Sequence, residues 1–146
     1  MKDSEEWAAV SFNTRDPLYL QVVRYFKELI ATGRLTAGQV IPSRRELGAL
    51  LKINPNTAQR AYKEMEDQLL IATERNSQSR ITTDENILRA IRSELLAEAV
   101  DAFLLSVHNI DASLDELLGL VSSKYKQTRN PDSKHEKTDR GDNKHD

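Results

Sequence analysis

Leu18, Val22, Phe26, Leu29 and Ile30 recur three and four positions apart, the period that lines one face of a helix. Asp16 stands where a cap belongs, Pro17 suits the first helical position, and Gly33 suits the left-handed residue past the end. The period lapses through "LTAGQVIP", which predicts a turn and a brief extended piece, with Ile41 extended because a proline follows it. Ser43 with Glu46 three residues on reads as a capping box, two backbone donors satisfied reciprocally. It opens a short helix whose apolar positions are Leu47, Leu50 and Leu51. "KINPNT" breaks that helix; Asn54 caps a third, Pro55 fits its first turn, and it continues to about Gln68 with Ala58, Ala61, Tyr62 and Met65 inward.

Beyond it, "LLIATERNSQSRITT" predicts two short strands, 70–73 and 80–82, joined by a polar tip without glycine. A longer helix over 84–107 follows, capped by Thr83 or Asp84, with Ile87, Ile91, Leu95, Ala99, Phe103, Leu104 and Val107 in one stripe. After "HNID", Ser113 and Glu116 form a second capping box for a last helix carrying Leu114, Leu117, Leu118 and Val121. Before residue 16 the chain is polar and irregular, with at most a short strand at "AVSF". After about Gln127 it is wholly polar and predicted to be disordered, because it lacks apolar surface to offset ordering entropy. The division expected is an N-terminal segment (1–11), a winged helix-turn-helix (12–82), a helical dimerisation module (83–127) and a polar tail (128–146). The fold class is mainly α: three helices and a β-hairpin wing, then two C-terminal helices.

Length and composition bound this picture. With 146 residues, 38% hydrophobic and 30% charged, the chain suits one compact domain and an appendage. It has no cysteine, which excludes disulfides and thiolate metal sites and suits a reducing cytoplasm. No apolar run is long enough to span a bilayer, and the acidic start lacks the cations of an export signal. The formal net charge of −2 hides an uneven distribution. From 34 to 63 the cations Arg34, Arg44, Arg45, Lys52, Arg60 and Lys63 face one acid, Glu46, whereas from 84 to 121 carboxylates outnumber Arg89 and Arg92. Such a basic zone suits a polyanion, and its alternative is an ordinary solvated helix face.

The helix pair favours double-stranded DNA as that polyanion. A helix fits the major groove, and the second of such a pair enters with its N-terminal residues against base edges. Asn54, Asn56, Thr57 and Gln59 are short polar side chains at that end. The exposed backbone donors at Ser43 and Asn54 suit phosphates. Arg44, Arg45, Lys52, Arg60 and Lys63 supply sequence-independent attraction.

Residues 17–71, with "G-x-L-x-x-G-x-x-I-P-S-x-R-E-L" and "N-P-N-T-x-x-R-A-Y", closely resemble the GntR-type bacterial transcription regulators. The short helical tail looks like their YtrA branch, which lacks a large ligand-binding domain, and the resemblance covers about Phe12 to Val121. It implies that Ser43 and Arg45 contact the DNA backbone or adjacent bases, and that Asn54, Asn56, Thr57 and Gln59 line the start of the recognition helix. Arg60 and Tyr62 match the motif too, Tyr62 as core. The chain departs from the family where Gln68 stands in place of a glycine before the wing. It departs again at the wing tip, "ERNSQSR", where Arg75 and Arg80 are the only cations and Asn76 is a candidate for positive φ.

The apolar stripe from 84 to 121 is too extensive for one exposed helix pair. Ile87, Ile91, Leu95, Phe103, Leu104, Leu114, Leu117 and Leu118 are therefore expected to pair two copies about a two-fold axis. The alternative is that both helices fold back on their own winged domain. The expected function is a cytoplasmic, sequence-specific, homodimeric DNA-binding regulator, a repressor on an inverted repeat. Its alternatives are an activator or a winged protein-interaction module. An enzyme is disfavoured: His108, His135 and His145 are scattered, and no catalytic, phosphate-loop or metal-ligand spacing occurs, so no cofactor is expected. A small-molecule effector is left unspecified.

Overall fold

The computed structural model describes Trp7, residues 10–75 and residues 78–129. Most of the N-terminal segment, Asn76 at the wing tip, and residues 130–146 with His135 and His145 lie outside the described residues. Among the described residues, the elements in order are α1 (Leu18–Ala31), β1 (Val40–Ile41), α2 (Arg44–Leu51), α3 (Pro55–Asp67), β2 (Ile71–Thr73), β3 (Ser79–Ile81), α4 (Glu85–Ser106) and α5 (Leu114–Arg129). One compact unit extends to Ala102 and a second begins at Phe103, within α4.

In the first unit, α1 starts one residue later than its pattern predicts. Pro17 is the cap residue, and Asp16 makes no cap bond; its carboxylate accepts instead from Asn13 Nδ2 at 3.1 Å. The helix ends as expected, with Gly33 at φ 77° and the Arg34 N–H donating to the Leu29 carbonyl at 2.9 Å. Val22, Val23, Phe26 and Leu29 are buried on its inner face. They meet Leu47 of α2, Ala61, Tyr62 and Met65 of α3, and Ile71 and Ile81 of the strands in one core.

Two parts of that core lack a local signal. Trp7, the chain's single tryptophan, is buried, its ring centroid 5.0 Å from that of Phe26 and 6.0 Å from that of Tyr25. Residues before 16 thus supply a core anchor, whereas Val10–Phe12 form no strand. Ile91 of α4 is buried in the same core, with Ile87, Leu88 and Leu95 packed against it. These positions, expected in a dimer stripe, are used within the chain, and Lys27 Nζ pairs with Glu94 at 3.2 Å on the same side. This part of α4 therefore packs on its own winged domain.

The hairpin is real but gains a partner. β3 lies between β1 and β2, antiparallel to both, with Val40 opposite Arg80 and Ala72 opposite Arg80 on the other side. β1 is the extended piece that Pro42 imposes, and its Ile41 is buried. The left-handed residue before the wing is Leu69 at φ 61°, while Gln68 has an ordinary φ of −82°. The position that calls for glycine is thus one residue beyond Gln68.

The second unit contains the last turn of α4 and all of α5. Ser113 Oγ accepts from the Glu116 N–H at 3.2 Å, the Ser half of the predicted box. α5 extends to Arg129, two residues past the expected end of the helical module at residue 127, and has no buried residue. Leu105 (78% exposed), Leu114 (68%) and Leu118 (57%) project into solvent with Phe103, Leu104, Ile110, Leu120, Val121 and Tyr125. Among the described residues, no helix is long and apolar enough to cross a membrane.

Candidate nucleic-acid interface

α2 and α3 are joined by a turn in which Lys52 takes a left-handed conformation (φ 55°) and the Ile53 N–H donates to the Gly48 carbonyl at 3.0 Å. Gly48 is buried there; a Cβ would lie 3.4 Å from the Ile53 carbonyl oxygen. Both helix starts are capped by the residues their patterns name. Ser43 Oγ accepts from the Glu46 N–H at 3.1 Å, and Asn54 Oδ1 accepts from the Asn56 N–H at 2.8 Å. Both cap side chains are thus already engaged as acceptors.

The inner face of α3, Ala58, Ala61, Tyr62 and Met65, is wholly buried as predicted. Asn54, Asn56, Gln59, Arg60 and Lys63 are consequently exposed, while Thr57 is half-buried. Tyr62 locks the helix pair to the strand before it: its hydroxyl donates to the Pro42 carbonyl, and its ring packs edge-on to Phe26. Burial pushes its phenol well above the ordinary value of 10.0, against a smaller lowering by the Arg44 guanidinium.

The predicted cations divide into two groups. Arg45, Arg60, Lys63 and Arg75 are exposed. Arg44 and Arg80 are held by their own chain. Arg44 Nη2 lies 2.7 Å from Glu66 Oε1, which also accepts from Thr73 Oγ1 at 2.8 Å, and the Arg44 guanidinium stands 5.8 Å from the Tyr62 ring centroid. Arg80 donates to the Gly38 carbonyl at 3.2 Å and faces Glu74 at 3.5 Å. Arg60 differs again, lying over the ring of Tyr19 at 4.0 Å. Glu66 and Tyr19 were not among the predicted residues; each acts across more than twenty positions of sequence, where no periodicity reports a contact.

The arrangement is an exposed polar helix N-terminus flanked by cations on a rigid apolar base, suited to a groove and its phosphates. Among the described residues, no cluster of His, Cys, Asp and Glu could hold a metal ion.

Comparisons with known proteins show what the chain and its fold are similar to. A family model described as "Bacterial regulatory proteins, gntR family" matches residues 18–81. The chain is 30% identical over 102 residues to the HTH-type transcriptional repressor YtrA of Bacillus subtilis, covering 69% of this chain and 78% of that one. It is 29% identical over 107 residues to the HTH-type transcriptional regulator YhcF of the same organism, covering 73% and 88%. A GntR family transcriptional regulator from Listeria monocytogenes superposes with a TM-score of 0.68 at 28% identity, over 77% of this chain and 98% of the other. A transcriptional regulator from Oenococcus oeni does so with a TM-score of 0.65 at 30% identity, over 80% and 98%.

Proposed function

This chain belongs to the GntR family of bacterial transcriptional regulators, on its YtrA-like branch, and on that premise we propose that it is a homodimeric repressor occupying an inverted-repeat operator. The observation that carries the reading is the exposed row Asn54, Asn56, Gln59 and Lys63 on α3, set over a fully buried inner face. In the proposed complex the start of α3 enters the major groove, with Gln59 and Asn56 at base edges. Ser43, Arg45, Asn54, Thr57, Arg60 and Lys63 hold the flanking backbone, and Arg75 approaches from the wing. Arg44 and Arg80 contribute less than their charge suggests, because each already has an acceptor within the chain.

Self-association is supported by the large apolar side chains of the second unit, Phe103 to Tyr125, which stand exposed in the single chain. Phe103, Leu104, Leu114, Leu117 and Leu118 remain the proposed pairing residues, joined by Leu105 and Val121. Two-fold pairing would set the recognition helices about 34 Å apart, or a multiple of it, and so favour a palindromic site. The repressor role follows the relative named as one.

Enrichment of bound duplexes from a random pool tests the reading: a palindromic product supports it, and a product without symmetry overturns the dimeric part. In a gel-shift assay, Arg45→Ala should weaken specific and random duplexes alike. Gln59→Ala should relax preference at one position by about 1–3 kcal/mol. If neither substitution alters binding, the interface is misassigned.

A further inference from the structure

We propose that Tyr19 is a positioning residue for DNA binding: its ring holds the Arg60 guanidinium in place for a contact with a DNA phosphate. The inference rests on the DNA-binding reading above and adds to it a residue from α1. The Arg60 guanidinium carbon lies 4.0 Å from the Tyr19 ring centroid, close enough for a stack. The ring is itself fixed, being half-buried and packed against the core that joins α1 and α3.

The chemistry of the partner distinguishes this cation from its neighbours. Glu66 and the Gly38 carbonyl are acceptors, so they occupy N–H groups of Arg44 and Arg80. An aromatic face attracts the guanidinium without using any N–H, and leaves its in-plane donors free for a phosphate oxygen. Among the described residues Arg60 has no hydrogen bond or ion pair, so its donors meet no competing acceptor among them. Arg60 also shares the outward row of α3 with Asn56 and Lys63, four residues after the one and three before the other. A long side chain that would otherwise lose rotamer freedom on binding is thereby ordered beforehand, on the face that meets the nucleic acid.

The test is a double-mutant cycle, read by fluorescence anisotropy on a labelled duplex that the wild-type protein enriches from a random pool. Tyr19→Phe keeps the ring and should leave affinity within about twofold. Tyr19→Leu keeps apolar bulk but removes the π face, and should weaken binding about three- to tenfold. In an Arg60→Ala background the same Tyr19→Leu change should have an effect of less than about twofold, since the group it positions is gone. An NMR measurement without DNA reads the stack directly: the Arg60 side-chain protons should show a ring-current shift in wild type and Tyr19→Phe that Tyr19→Leu abolishes. Equal losses in both backgrounds, or no ring-current shift in wild type, overturn the proposal. Binding that Arg45→Ala weakens and Arg60→Ala does not leaves the DNA reading standing and overturns this proposal alone. A wild-type protein that enriches no duplex overturns both.

Discussion

Arg44 and Glu66 form an ion pair, Nη2 to Oε1 at 2.7 Å, that ties the start of α2 to the last turn of α3. The Thr73 hydroxyl donates to the same carboxylate oxygen and stands 2.9 Å from the Ser79 hydroxyl, so the pair continues into the wing strands. A basic residue of the candidate interface is therefore neutralised from within.

Glu66→Gln should release Arg44 toward the nucleic acid. The two side chains are 37% and 32% exposed, so their pairing contributes less than about 1 kcal/mol to folding, and stability should change within that margin. Duplex affinity at low salt should rise, and the slope of log affinity against log salt should steepen by about one. Anisotropy titrations over a salt series measure both; an unchanged slope would keep Arg44 out of the interface.

Ile91 and Leu118 should separate folding from association. Ile91→Ala leaves a cavity in the core of the first unit and should cost about 2–5 kcal/mol in urea unfolding. Leu118→Glu alters a side chain that is 57% exposed, and should leave the unfolding of that unit unchanged. It should shift sedimentation toward monomer and weaken binding to a duplex carrying two half-sites. A Leu118→Glu protein that sediments as wild type removes that residue from the pairing surface.

Leu69→Gly should stabilise the protein. Leu69 takes φ 61°, which strains a side chain bearing a Cβ, and it is 63% exposed, so little buried area is lost. Relief of the left-handed strain should outweigh glycine's greater unfolded-state entropy by about 1 kcal/mol, visible as a higher melting temperature. A lower melting temperature would mean that Leu69 contributes packing that its exposure does not reveal.

Tyr62→Phe should cost about 1–2 kcal/mol at neutral pH by leaving the Pro42 carbonyl without its donor. The same residue implies an alkaline limit. A phenol whose folded pKa lies above its unfolded value stabilises the fold fully below the unfolded value and loses that contribution as pH rises past it. Wild-type stability should thus carry no Tyr62 titration below about pH 10 and fall above it, and Tyr62→Phe should fall less steeply. Denaturant midpoints from neutral to alkaline pH check this, and parallel slopes for the two proteins would refute it.

The helices, the caps of α2 and α3 and the outward row of α3 were legible in the chain, because each depends on residues within a turn or two. Ser43 and Asn54 cap as their patterns require, and the burial of Ala58, Ala61, Tyr62 and Met65 follows from a period of 3.6. Periodicity marks which face of a helix is apolar but not what covers it. Hence Ile87, Ile91 and Leu95 looked continuous with Leu114 and Leu118, although the first three pack on their own winged unit. Only tertiary structure could assign Trp7 to the core, place β1 beside β3, and join Arg44 to Glu66 and Arg60 to Tyr19. Those contacts depend on how separate elements pack, and chain spacing carries no record of that distance in space.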